Sequence, residues 1–589
     1  MRDHHLSHLA APLPLGRRAL IRALGLGAAG ALPLAATKWR SSPVGASLQA
    51  APSAGPTAPT GQPLAGGRLT IGSTVNPDNL HPWDATEVAA FDLLDGVVEG
   101  LLKVNAAGRL QPALAEGFTL SDDGLTYTFR LRQDVRFHNG EPFTGRDVAA
   151  AWDVRLDGIW SSAATLGWDR IAGIDLPDER TLTVTTREPY APFLSTVGVT
   201  PILPASAFAG GVDAFRERYA EAPVGSGPFL IASRRPGRRI DLQRWDEHWG
   251  GPARLDAIRY EIVPDAAAAR AGLESGSFQV AAASGNAASL ADDPSRSVPT
   301  VTTWEYATRT WHHLDLKQIG FLRERAVRQA LDYATPRQAI VAELLGGRAT
   351  PAVADQMPGS WAAHDTLGPR SFDPARAREL LAEAGFRPGR DGILARVGEP
   401  FRLELWGVAG DPLARRILDA IATEWAALGL AVLVRTAEPT ALWGPTGYQF
   451  SDRMTACLFA WTNGVDPDDL FYWHSSQIPS APTAPGSNLP AFFHPYAFQD
   501  EIDRLTADAA TTLDLETRRD LYRQIQELLA REVPVIFLYW EHALVAARTE
   551  VGGVWPNPYA GLLWNAQSWY LADPAAEATP AATPWPVDG

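Results

Sequence analysis

Between Leu125 and Trp152 the chain spells a strand, a turn and a helix in direct succession, and no other stretch constrains the fold as tightly. Leu125, Tyr127, Phe129 and Leu131 alternate with Thr126, Thr128, Arg130 and Arg132, the period-two pattern of a strand with one buried face. Val135 and Phe137 keep the same parity. His138-Asn139-Gly140-Glu141-Pro142-Phe143 then turns the chain. Thr144 begins a helix, with Asp147 three residues on as in a capping box, and Val148, Ala151 and Trp152 share one apolar face.

Read as one string, Leu125 to Trp152 resembles the hallmark segment of the large peptide-type solute-binding proteins of ABC importers, the family that includes dipeptide-, oligopeptide- and nickel-binding proteins. Val224-Gly225-Ser226-Gly227-Pro228-Phe229 and the run from Asn557 to Trp564 resemble two further segments of that family. The resemblance implies an α/β, two-lobed periplasmic-binding-protein-like fold of type II (cluster C), with an extra α+β lobe inserted in the first lobe. On that plan lobe I takes residues 67–99, 201–303 and 544–579, the inserted lobe II takes 100–200, and lobe III takes 304–543. Residues 580–589 form a tail.

The chain has 589 residues, too many for one ordinary core, and 46% hydrophobic residues with which to build two or three. Its formal charge is −15 with no basic stripe in the body, which argues against a nucleic-acid partner. The single cysteine, Cys457, sits in an apolar run and reads as a buried small hydrophobe. One cysteine permits neither an internal disulfide nor a thiolate metal site. No cofactor or metal is expected.

The first 36 residues read as an export address. Arg17-Arg18 precede a short apolar stretch from Ala23 to Leu34 and small residues to Ala36, the order of a twin-arginine signal peptide. Its apolar core is too short for a comfortable membrane span. No cysteine follows it to carry a lipid, and its removal makes the chain more acidic still. Residues 37–66, rich in Ala, Pro, Ser, Thr and Gly, read as a flexible linker. The protein is therefore expected in the periplasm or at the outer face of the cell membrane, as a monomer working with ABC permease and ATPase subunits.

In the body, Arg68–Gly72 reads as a first strand and residues 87–101 as a helix, with Val88, Phe91, Leu94 and Val98 at helical spacing. Residues 171–186 read as two strands, and Arg239–Gln243 and Ile258–Ile262 as two more. Asp265 caps a helix that Gly276 stops. The stretch 302–316 crosses to lobe III, and adjacent His312 and His313 on it point to opposite faces and cannot share one metal. Asp373-Pro374 and Asp411-Pro412 start helices ended by Gly385 and Gly429. Strands Phe401–Trp406 and Leu430–Val434 flank the second of these, as in parallel βαβ packing. Leu515–Arg531 is a helix and Val533–Trp540 a strand.

The candidate ligand-binding residues come from three places. The loop after the first strand lines the cleft in the family, which implies roles for Asn76, Leu80, His81 and Trp83. The densest stretch is Phe459 to Phe471, where Trp461, Thr462, Asn463, Gly464 and Asp466 end a strand and enter a turn rich in carboxylates. Peptide-binding relatives carry there an Asp that pairs with the peptide ammonium, and alignment on Pro467 puts Asn463 in its place. Trp406 and His474 complete the set. Trp83, Trp406, Trp461 and Trp473 could stack on sugar rings, so oligosaccharides stand as the alternative to di- and oligopeptides.

Catalysis is not expected. The chain lacks a Gly-x-Ser-x-Gly elbow and a His-Glu-x-x-His motif, and Asp466 and Asp468 lie in one turn, too close together to flank a glycosidic bond. The Gly-rich Val224–Phe229 segment lacks the Lys-Ser/Thr of a phosphate loop. A peptide chaperone or sensor with the same cleft, or a secreted hydrolase, are the readings from other classes. The expected function is capture of a solute between closing lobes.

Overall fold

The computed structural model describes residues 55–59, 61–85, 88–156, 167–283 and 300–573; the segment read as a twin-arginine signal and the one read as a tail lie outside them. One sheet runs through most of the molecule, in the order 431–437, 402–408, 456–462, 301–316, 535–548, 280–283, 68–73, 257–262, 239–244 and 229–235, with 349–351 joined to 535–548. Its spine is the antiparallel pair Val301–Leu316 and Val535–Arg548. A 16-residue strand spans about 50 Å, enough to serve two lobes. Val535–Arg548 is buried along nearly its whole length, which matches two apolar runs separated only by Glu541 and His542. The first half of each pair partner lies in one lobe and the second half in the other. The register shifts between Ala307 and Trp311, at the crossing.

Two large cores flank the crossing. One joins Leu69, Ile71 and Ile258 of the first lobe to Tyr127, Phe129 and Trp152 of the insert, so these two lobes share a single core. The other gathers Leu314, Leu405, Ile417, Ile421, Trp425 and Ile536 in the third lobe. A third, around Trp311, Trp473, Tyr522 and Trp540, fills the space beside the crossing.

The insert is a four-stranded antiparallel sheet, in the order 115–120, 126–131, 181–186 and 171–178. Tyr127, Phe129 and Leu131 face inward as the alternation requires. The helix Gly145–Leu156 begins with the expected box: the Thr144 N–H donates to Asp147 Oδ2 at 2.7 Å, and Thr144 Oγ1 accepts from the Arg146 N–H at 3.2 Å. In the third lobe, 402–408 and 431–437 pair in parallel. The helix Pro412–Ala427 joins them and is capped by Asp411, which accepts from the N–H groups of Leu413 and Ala414. Asp265, Asp373 and Asp514 cap their helices in the same way.

Two expectations change. The helix read over 87–101 ends at Leu94. Beyond it the backbone runs against Gly225 and Gly227: the Gly227 N–H donates to Val97 O at 3.0 Å and the Phe229 N–H to Gly96 O at 3.0 Å. A Cβ at Gly225 would lie 2.1 Å from Val97 O, so the glycines of the Val224–Phe229 segment are packing glycines. The flexible linker read over 37–66 is docked where it is described. Gln62–Pro63 pairs with Ala572–Asp573, and the Thr57 N–H donates to Val554 O at 3.0 Å. The unpaired edge of the closing segment supplies hydrogen bonds that a Pro- and Ala-rich composition does not announce.

One turn carries visible strain. Val397 and Gly398 join two short strands, 394–396 and 399–400, with φ of +53° and +81°. That is the mirror-image hairpin turn that favours Asn-Gly, and a β-branched residue is costly there. Val397 is also fully exposed. Val397→Asn is expected to raise stability by about 1 kcal/mol, read as a higher midpoint in thermal unfolding; an unchanged or lower midpoint would show that the turn is not strained.

Candidate functional site

The strand Ala456–Thr462 lies between 402–408 and the crossing strand 301–316. Thr310, Trp311 and His313 stand opposite Thr462, Trp461 and Phe459. Its end delivers the turn Asn463–Asp469 beside the register break, where the two lobes meet.

Asn463 is buried and fully engaged. Its side-chain oxygen accepts from Trp311 Nε1 at 2.8 Å and its amide donates to Asp355 O. Its N–H donates to Arg309 O at 3.0 Å, and the Arg309 guanidinium donates back to Asn463 O. Thr462 and Gly464 on either side are exposed. The Thr310 and Thr462 hydroxyls lie 2.8 Å apart, and Tyr472 donates to Thr462 O at 3.1 Å.

The acids of the turn are individually tied down. Asp466 receives both arms of the Arg518 guanidinium, at 2.8 and 3.0 Å. Burial works against the Arg518 charge, yet Asp466 and Tyr522 beside it hold its pKa above the usual range. Asp468 accepts from Tyr190 of the insert at 2.6 Å and is raised by burial against that hydrogen bond. Asp469 accepts from Gln356 at 2.8 Å, and Asp355 accepts from Trp473 Nε1. No donor reaches the second oxygen of Asp355 or of Asp469 among the described residues. Burial pushes Asp355 up to about 6, and burial together with the neighbouring Asp355 pushes Asp469 well above its ordinary value. A buried carboxyl that lacks a cation stays protonated more readily.

The insert and the third lobe touch at this turn. Besides Tyr190 and Asp468, the Ala191 N–H donates to Ala510 O at 2.8 Å. Leu470 and Ala510 are packed into the core shared by the first lobe and the insert. Val104 packs in return against the core around Trp311.

Of the candidate residues, Trp461, Thr462, Asn463, Gly464 and Asp466 are brought together here. Trp461 is half-buried, edge-on to Phe459 at 5.0 Å and to Phe471 at 5.3 Å. The others stand apart. Leu80, His81 and Trp83 lie inside the first-lobe core: Trp83 donates to Pro201 O at 3.0 Å and packs on Phe208 and Phe215. Burial holds the His81 pKa down at about 4. Asn76 donates to Asp78 within its own loop. Trp406 is buried against Tyr448 at 4.2 Å, in a small cluster with Leu442, Met454 and Cys457. His474 caps the short turn 475–477 by accepting from the Ser476 N–H. Of the four tryptophans named for stacking on sugars, Trp83, Trp406 and Trp473 are buried, which removes most of that argument. His312 and His313 take different partners, Glu541 at 3.1 Å and Asp315 at 3.0 Å.

Sequence reading passed over Arg309, Arg518, Tyr190 and Asp355. Arg309 sits in Thr308-Arg309-Thr310, with no local pattern to single it out. The others act on the turn from 52, 278 and 113 residues or so away along the chain, the separations of Arg518 from Asp466, Tyr190 from Asp468, and Gln356, next to Asp355, from Asp469.

Residues 109–480 match the family described as bacterial extracellular solute-binding proteins, family 5 Middle. The oligopeptide-binding protein AppA of Bacillus subtilis is 26% identical over 525 residues, covering 87% of this chain and 93% of that protein. The heme-binding protein A of Haemophilus influenzae is 28% identical over 460 residues, covering 72% and 78%. The solved structure of Bacillus subtilis AppA in complex with a nonapeptide superposes with a TM-score of 0.73 at 24% identity, over 87% of this chain and 100% of the other. The fold is thus the two-lobed α/β fold expected.

Proposed function

Because this chain belongs to the bacterial extracellular solute-binding proteins of family 5, we propose that it captures di- or oligopeptides between its lobes and delivers them to an ABC permease driven by a separate ATPase. The observation that carries this reading is the Thr462–Gly464 segment. Thr462 and Gly464 are exposed beside the register break between the two strands that join the lobes, within reach of a solute held between the lobes. Trp461 supplies an apolar wall for side chains, and water can complete the hydrogen bonds of varied ones.

Delivery follows from the same architecture. The lobes are joined by two crossing strands whose pairing is interrupted between Ala307 and Trp311, so rotation about that point changes few backbone hydrogen bonds. Closure over a solute then gives the permease a shape to recognise, and no turnover occurs in this subunit. The Arg17-Arg18 segment supports export by the twin-arginine route to the periplasm or outer membrane face. No helix among the described residues is long and apolar enough to cross a membrane.

Native mass spectrometry of the purified protein tests this directly: a family of peptides released on unfolding is the expected result, and a single sugar or metal complex would overturn it. A second test concerns the wall. Trp461→Ala is expected to weaken peptide binding about tenfold and to remove the ligand-induced change in tryptophan fluorescence. Unaltered affinity would mean that the solute sits elsewhere.

A further inference from the structure

We propose that Arg309 anchors a carboxylate of the bound solute, so that the cleft prefers acids to their neutral amides; this rests on the solute-binding reading above. Three observations meet at this residue.

The first is position. In the crossing pair, Ala307 stands opposite His542 and Trp311 opposite Trp540. Thr308, Arg309 and Thr310 therefore bulge against Glu541 alone, and a bulge re-aims the side chain it carries. The guanidinium is aimed at the junction of the lobes. It donates to Asn463 O on one side and to Pro558 O at 2.9 Å on the other.

The second is unspent hydrogen-bonding capacity. An arginine has five N–H groups. Three are used here, the weakest at 3.5 Å to Tyr559 O. All three acceptors are neutral carbonyls. No carboxylate of a described residue pairs with Arg309. Asp95, whose charge is felt through space, is itself engaged by the Gly561 N–H at 2.7 Å. Burial works against the Arg309 charge, and a half-buried cation without a counter-ion is costly.

The third is the state of the neighbouring acids. Asp466 is neutralised by Arg518 and Asp468 is held by Tyr190. Asp355 and Asp469 are buried and turned toward Trp473 and Gln356, and Asn463 carries no charge. The turn therefore offers an incoming solute an unpaired cation and no free carboxylate. A solute ammonium finds no partner in it, whereas a carboxylate gains charge-assisted hydrogen bonds from the two remaining N–H groups.

The experiment uses the mature chain and oligoalanines of several lengths, each as the free acid, the C-terminal amide and the N-acetylated acid, with binding read by calorimetry. The free and N-acetylated acids are expected to bind alike, and the amide at least about tenfold more weakly. Arg309→Gln should bring the acid down to the amide without moving the amide, and Arg309→Lys should keep part of the preference. Any effect of the substitution on lobe closure cancels in the acid-to-amide ratio. Equal binding of acid and amide, or an equal loss for both in a folded Arg309→Gln variant, would overturn the anchor and leave peptide capture standing. If no oligoalanine binds in any form, peptide capture fails instead. The charge of the solute that co-purifies then decides: an anion released by Arg309→Gln supports the anchor, and a neutral or cationic solute ends it.

Discussion

Arg518→Met should lower stability by about 3 kcal/mol in urea unfolding. Arg518 is nearly inaccessible, and it donates to both oxygens of Asp466, to Ala509 O at 3.0 Å and to the Tyr522 hydroxyl at 3.3 Å. Its guanidinium also lies over Trp361 at 5.0 Å. Methionine can fill much of the volume but pairs with none of these groups. Asp466 is then left as a charge with only about a fifth of its side chain in water, which places the cost toward the low end for a broken buried pair. The double variant Arg518→Met, Asp466→Asn should recover part of the loss, because no unpaired charge remains. A single-variant cost below about 1 kcal/mol would show the pair to be no stronger than a surface one. The same substitution unties the turn from the helix Leu515–Glu532, so peptide affinity should fall along with stability.

Asp469→Asn is expected to act in the opposite direction, and to do so as a function of pH. The folded-state pKa of Asp469 is well above its ordinary value and that of Asp355 is about 6, whereas both titrate near 4 in an unfolded chain. Between those values the folded protein holds more protons than the unfolded one. Stability from these groups is therefore full below about pH 4 and falls as the pH rises, through about 6 for Asp355 and further for Asp469. Each unmatched proton contributes a slope of about 1.4 kcal/mol per pH unit. Asparagine at 469 cannot ionise and keeps an oxygen for Gln356. His81 and His138, both held down at about 4 by burial, tilt stability the other way below pH 6.5, because the unfolded chain takes up their protons first. The informative quantity is thus the difference between variant and parent. It should be smallest at or below about pH 4 and move in the variant's favour as the pH rises from there, by up to about 1.4 kcal/mol per pH unit. A difference that does not change with pH would mean that Asp469 titrates alike in the folded and the unfolded chain.

Both predictions concern contacts that join distant parts of the chain. The sequence announced the turn that they hold: a strand end, an aromatic and a run of acids marked Trp461 to Asp469. It did not announce that Asp466 is spent on Arg518, that Tyr190 of the insert closes on Asp468, or that Asp355 lies beside Asp469. Trp83 and Trp406 show the same limit from the other side. Their residue type suits a binding wall, yet whether a tryptophan faces a cleft or a core depends on what packs over it. Here that is Phe208 and Phe215 for the one and Tyr448 for the other.

What the amino-acid order determined by itself is whatever is decided within a few residues. The alternation of Thr126–Leu131 sets which face is buried. An Asp just before a helix accepts from an N–H three residues on at 265, 373 and 411, and Gly276 stops a helix. Those energies are local, so a local pattern carries them. Only the tertiary structure decided where the helix after Val88 ends, because the constraint comes from Gly225 and Gly227 pressed against Val97. Likewise only the folded crossing strands place Arg309 at the junction of the lobes. Such choices are made by burial and pairing between segments tens to hundreds of residues apart, and no short window of sequence contains both partners.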